Sequence, residues 1–172
     1  MAQHSLSAKK MAIMVSAGFD ETQFINIQKS MMVNNAWLKV VSNKSGLVNG
    51  TNNGSFGMAY PVDAVLSETL AIDYDGLIIP GGAKHIAALA EEPHALRILR
   101  AFLREDMAVL VIDEAADLLA MVDAPAKASD FDDSKAIDTK ASVVRSKDGA
   151  SLPEALAMMA AIVNASEEEQ AA

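Results

Sequence analysis

The sequence contains no cysteine. Thiol nucleophiles, disulfides, thiolate zinc sites and cysteine-held iron–sulfur clusters are therefore excluded. Aromatic residues make up only 5%, with a single Trp. The core must then be built from Leu, Ile, Val and Ala together with ten Met, whose flexible side chains fill irregular gaps. No apolar run approaches the ~20 residues needed to cross a bilayer. Basic residues are scarce: 14 Lys and Arg face 23 Asp and Glu, giving net charge −9. Bulk charge thus opposes binding to nucleic-acid phosphates or anionic membranes, and neither partner is expected. The excess is one-sided, since residues 1–86 hold six acids and six bases while residues 87–172 hold seventeen and eight. The polar start Met1-Ala2-Gln3-His4-Ser5 has no signal-peptide core, so a cytoplasmic location is expected.

What is present is ordinary globular usage, 51% hydrophobic and 22% charged, over 172 residues. That length suits one domain. Met11–Val15 is a short continuous apolar run, as in a strand buried on both faces. Phe24, Ile27 and Met31 then form a helical stripe, closed at Asn34-Asn35, and Trp37–Val41 reads as a second strand. Asn53-Gly54 is a strong type I′ hairpin signal between strands at Leu47–Thr51 and Phe56–Tyr60. Asp75–Ile79 is another buried strand, stopped by Pro80-Gly81-Gly82. Glu92-Pro93 opens a helix whose inner face is Leu96, Leu99, Phe102 and Leu103. Val109–Ile112 is a further strand, followed by a helical run to Val122, a loop over 123–138 and a strand around Ser142–Val144. Ser151-Leu152-Pro153-Glu154 resembles a capping box for the last helix, with Leu156, Met159, Ile162 and Val163 as its stripe. The expected units are a tail over 1–9, a domain over 10–165 and an acidic, frayed tail over 166–172. Alternating strands and helices predict an α/β fold with a mostly parallel sheet.

Ligands of open parallel sheets bind beyond the carboxyl ends of the strands. Three such ends carry chemistry: Gly18–Glu21, Pro80–His85 and Asp113-Glu114. The sharp strand-to-helix turn at Ile112-Asp113-Glu114 resembles a nucleophile elbow. Gly81 and Gly82 would supply backbone N–H groups as an oxyanion or anion nest. Two readings of the acids stand open. Asp113 would cap its helix, with Glu114, Asp20 and Glu21 favoured simply by helix N-termini. Alternatively, Asp113 meets Asp20 or Glu21 in a dry pocket, and one carboxyl gains a raised pKa and acts as a general acid. His85 lies either at the pocket mouth or in the first turn of a short helix; His94 is expected at the surface. The His and acid spacings fit no metal site, and Asp130, Asp132 and Asp133 lack the rest of a calcium loop. Neither phosphate-loop nor dinucleotide spacing occurs in Gly46–Gly57, so no cofactor is expected.

Asp75-Gly76-Leu77-Ile78-Ile79-Pro80-Gly81-Gly82, the helix through Phe102, Val109–Leu119 and the closing Val144–Leu156 together resemble the PfpI/ThiJ superfamily of glutamine-amidotransferase-like domains. The resemblance runs roughly from Lys10 to Val163. It implies a flavodoxin-like three-layer sandwich with an added β-hairpin. The family's active elbow reads Ile-Cys-His-Gly-Pro, and the corresponding residues here are Ile112, Asp113, Glu114, Ala115 and Ala116. The sequence is most similar to a subgroup that lacks the Cys, the C-terminal domain of large-subunit haem catalases. That resemblance implies a non-catalytic domain with a binding, chaperone-like or oligomer-stabilising role in stress response. Its partners would be protein clients and a second copy, most often in a homodimer. The alternative is a hydrolase or lyase using Asp113 with Asp20, Glu21 or His85. A third reading is a sensor whose ligand carboxylate docks on the Gly81-Gly82 backbone.

Overall fold

The computed structural model describes residues 5–124 and 126–171. His4, read above as part of a polar terminus, lies outside the described residues. In chain order the strands are β1 (Lys10–Val15), β2 (Phe19–Asp20), β3 (Trp37–Ser42), β4 (Leu47–Asn52), β5 (Ser55–Pro61), β6 (Ala64–Val65), β7 (Gly76–Ile79), β8 (Ala108–Ile112), β9 (Ile137–Lys140) and β10 (Val143–Ser146). The α-helices are α1 (Glu21–Val33), α2 (Ala83–Ala90), α3 (Pro93–Arg104) and α4 (Leu152–Ala171).

Continuous apolar runs became central strands because both of their faces are covered. In β1, Ala12 and Met14 face one core, while Met11, Ile13 and Val15 face the other. β8 divides the same way, with Val109 and Val111 on one side and Ala108, Leu110 and Ile112 on the other. The seven-stranded sheet runs β6-β3-β1-β7-β8-β10-β9. Only the β9–β10 pair is antiparallel. Helices α2 and α3 cover the first face, and α1 and α4 the second. This is the expected α/β fold with a mostly parallel sheet between helical layers.

The hairpin also forms where Asn53-Gly54 places it, with φ of 51° and 82° at the two turn residues. Its strands do not join the main sheet. β4 pairs with β2 in a separate three-stranded sheet, β2-β4-β5, which ties the hairpin to the loop leaving β1.

Several elements differ from the sequence-based expectation. Strand β9 falls partly inside the predicted 123–138 loop, because an edge strand with one buried residue leaves no apolar run. The two-residue strands β2 and β6 are too short for periodicity to reveal. Asp148, rather than Ser151, supplies a cap, accepting from the Ala150 N–H at 2.9 Å at the start of a 3-10 turn that runs straight into α4. Helix α4 runs to Ala171, past the expected domain boundary at 165. Of the expected 1–9 tail, residues 5–9 are described, and they include one core side chain. Leu6 is buried at 2% exposure against the α1/α4 core.

Truncating Leu6→Ala removes a core side chain and should cost about 3 kcal/mol. Urea denaturation checks this, and a change within ~0.5 kcal/mol would restore residues 5–9 to the status of a tail.

Candidate functional site

The site is assembled where β1, β7 and β8 end at one edge of the sheet. β8 stops at Ile112, and Asp113 adopts a left-handed backbone with φ of 55°. Asp is among the few side chains that tolerate this region, so the residue type and the sharp turn agree. The following segment, Asp113–Met121, is the expected helical run, in 3-10 form. Its buried residues Ala115, Ala116, Leu118 and Leu119 recur at intervals of three, which matches three residues per turn.

Asp113 does not cap this helix. Ile112 occupies the N-cap position, and no side-chain capping bond is made there. The Asp113 carboxyl instead faces other acids. Burial raises its pKa first, followed by the negative charges of Glu114, Asp20 and Asp148, with a further contribution from a carboxyl–carboxyl hydrogen bond to Glu114. Asp113 stays exposed rather than entering the dry pocket of that alternative, and Glu114 contributes both charge and a hydrogen bond. Asp20 acts only through its charge.

The two glycines after β7 approach this elbow closely. A Cβ on Gly81 would sit 2.9 Å from Glu114 Oε2 and 3.0 Å from Asp113 Cβ. Gly82 has φ of 128°, and a Cβ there would lie 2.5 Å from the Gly18 carbonyl oxygen. The backbone thus reaches the elbow only because neither position carries a side chain. The N–H groups expected to form an open nest are already occupied. Gly81 N–H donates to Gln23 Oε1 at 2.7 Å, and Gly82 N–H donates to Glu114 Oε2 at 3.0 Å. The backbone dock proposed for a ligand carboxylate is filled by the protein's own side chains.

Gln23 is a site residue that the sequence reading missed. It projects from the first turn of α1, three residues after Asp20, whose carboxylate caps the helix by accepting from Gln23 N–H at 3.0 Å. The available signal was the Asp-x-x-Gln spacing of a capping box, combined with a polar residue beside the Phe24–Ile27–Met31 stripe. Asp20 is thus occupied at the helix terminus. Its backbone N–H also donates to the Gly81 carbonyl at 2.8 Å.

Glu21 points elsewhere. It is 5% exposed, and its Oε1 accepts from Tyr60 O–H at 2.8 Å and Met58 N–H at 3.3 Å. Gly57 leaves the space that this carboxylate fills. Burial and the Glu21 partner push the Tyr60 phenol up to about 12. Glu21 therefore anchors the hairpin to α1 rather than serving Asp113.

His85 is in the first turn of α2 and fully buried, not at the pocket mouth. Its Nδ1 accepts from Ser16 N–H at 3.2 Å, so the proton sits on Nε2, which donates to the Pro80 carbonyl at 2.6 Å. Phe19 packs edge-on against the ring, with centroids 6.4 Å apart. Burial lowers its pKa to about 4, overriding the upward pull of the Pro80 carbonyl and the Glu114 charge. The imidazole is neutral, with both nitrogens committed.

On its outer side Asp113 borders a groove of about 340 Å³ with Asp117, Ser129, Asp133, Arg145 and Lys147. Arg145 is 6% exposed; it pairs with Asp133 at 3.3 Å and donates to the Asp132 carbonyl at 2.9 Å. Among the described residues no group of three His or acidic side chains is arranged to hold a metal. No helix among them is long and apolar enough to cross a membrane.

The sequence pattern described as the DJ-1/PfpI family matches residues 9–127. No curated protein matches the sequence. Among solved structures, a ThiJ/PfpI domain protein from Brachyspira murdochii superposes with TM-score 0.79 at 15% identity, covering 92% of this chain and 98% of its own. Drosophila melanogaster DJ-1beta gives 0.76 at 17%, covering 95% and 97%. A protein from Anabaena variabilis, containing DJ-1/ThiJ/PfpI-like and ferritin-like domains, gives 0.75 at 18%, with 91% of this chain matching 49% of that one. At such identities these likenesses establish the fold.

The buried His85 and the exposed Asp113 act in opposite directions on stability. The native His85 pKa of about 4 lies below the unfolded value of 6.5, so the unfolded chain binds the extra proton between them. Stability should fall by about 3 kcal/mol as pH drops from 6.5 towards 4. His85→Gln, which can still accept from Ser16 and donate to Pro80, should remove that component in urea titrations across this window; an unchanged slope would place it elsewhere. Asp113 has a raised native pKa, so its ionisation opposes folding as pH rises. Asp113→Asn, which tolerates the left-handed backbone, should raise Tm at pH 7.5, with the gain shrinking in acid. Asp113→Ala should gain less because Ala is strained at this φ.

Proposed function

The chain belongs to the DJ-1/PfpI family, and on that premise we propose that it works by binding rather than by turnover. The reading is of a non-catalytic domain similar to the C-terminal domain of haem catalases. Its role is chaperone-like or oligomer-stabilising in stress response, with protein clients and a second copy as partners. The observation that carries the reading is the occupied nest: Gln23 and Glu114 consume the Gly81 and Gly82 N–H groups that would otherwise meet a developing oxyanion. The elbow carries Asp113 where the family resemblance leads one to expect a nucleophilic Cys. The imidazole of His85 is buried with both nitrogens bonded. Exposed apolar side chains supply contact surface instead, with Met32, Val33 and Trp37 near the α1–β3 turn and Phe56 and Met58 on β5.

A second reading, a hydrolase or lyase using Asp113, is favoured by one observation. The Asp113 carboxyl holds its proton more tightly than usual and borders an open groove.

At a tenfold molar excess, the purified protein should at least halve the light scattering of a heat-denatured client. The double substitution Trp37→Ser/Phe56→Ser should weaken that protection. Absence of protection, together with ester or lactone turnover abolished by Asp113→Asn, would reverse the ranking of the two readings.

A further inference from the structure

A second concave site lies away from the elbow. Leu70–Ile72 precede β7, and the far end of α3 leads into β8, so their groove lies towards the amino ends of the strands, whereas Asp113 lies at the carboxyl end of β8. The groove has a volume of about 590 Å³, within the range of small-ligand pockets. Leu70, Ala71, Ile72 and Ala101 make its apolar walls, and Arg97, Arg100 and Arg104 line it with Glu105.

The charge arrangement is unusual for this molecule. Three of the four Arg in a chain of net charge −9 converge on one groove. They recur at 97, 100 and 104, on the solvent side of α3 away from its buried Ala95–Ile98–Leu99–Phe102 stripe. Two of them are positioned by neutral groups. Arg97 donates to the carbonyls of Leu66 at 3.0 Å and Thr69 at 3.1 Å, and Arg100 donates to the Met121 carbonyl at 3.1 Å. Among the described residues neither has a carboxylate within ion-pair distance. Arg104 meets Glu105 at 3.6 Å, with both side chains largely exposed, which offsets its charge weakly. Three like charges are therefore held together with Glu105 as their one ion-pair partner among the described residues, beside an apolar wall whose rim residue Ile72 is 85% exposed.

We propose that this groove binds a small amphipathic organic anion, a carboxylate or phosphate group carried on an apolar chain. Guanidinium forks suit both oxyanions, and the Leu70–Ile72 wall takes the hydrocarbon body. The site does not use the elbow, so it stands or falls independently of the non-catalytic reading above.

The test titrates the full chain by calorimetry with octanoate, octyl phosphate and neutral 1-octanol, mapping each by amide chemical shifts. Binding of at least one anion, with shifts centred on residues 70–72 and 97–105, is the expected result; which anion binds identifies the headgroup. Arg100→Gln/Arg104→Gln should weaken that binding by about tenfold or more, since charge-assisted bonds are lost. Ile72→Asp should weaken it as well, by placing a negative charge on the rim. No binding of either anion at millimolar concentration, equal affinity for 1-octanol, or unchanged affinity in both variants would overturn the proposal.

Discussion

The hydrogen bond from Gly82 N–H to the Glu114 carboxylate joins the loop after β7 to the elbow after β8. The architecture around the site depends on it. Gly82 must hold a positive φ and pass close to Gly18, which brings α2 inward and buries His85 beneath the loop. The same bond holds Glu114 beside Asp113, whose proton affinity is raised by partial desolvation and then by the Glu114 charge. Gln23 completes the arrangement from α1 by accepting from the Gly81 N–H. Three separate elements are thereby tied at one edge of the sheet by groups that would be free in an open oxyanion site.

This arrangement commits the Gly81 and Gly82 N–H groups to side chains of the protein itself. An oxyanion hole is useful when its donors wait unpaired for charge that develops during reaction. Here the donors are saturated before any ligand arrives, and the imidazole is locked as a neutral crosslink between Ser16 and Pro80. The elbow carries a left-handed residue whose side chain is an acid among acids. The positive charge lies elsewhere, on the solvent face of α3.

Much of the fold was legible because the central strands are buried on both sides. Met11–Val15, Asp75–Ile79 and Val109–Ile112 stand out as apolar runs, and α1 shows its Phe24–Ile27–Met31 stripe. Asn53-Gly54 fixed the hairpin turn through local conformational preference alone. β9, β2 and β6 were not legible, since edge or two-residue pairing leaves no hydrophobic period. The 3-10 form of Asp113–Met121 was also hidden, because its apolar spacing fits either helix type until packing selects one.

For the site, the residue sequence determined which groups were available: no thiol, an acid at the elbow, and glycines where two loops must approach. It also determined the charge imbalance that makes the three α3 arginines stand out. Tertiary structure decided which groups meet. Glu21 turned to Tyr60, Asp20 to its own helix end, and Gln23, three residues along, reached the nest instead. These outcomes depend on the direction in which a helix enters a loop, and on contacts between positions more than 30 residues apart. No local pattern encodes such distances, because the pairing is set by how the strands order themselves in the sheet.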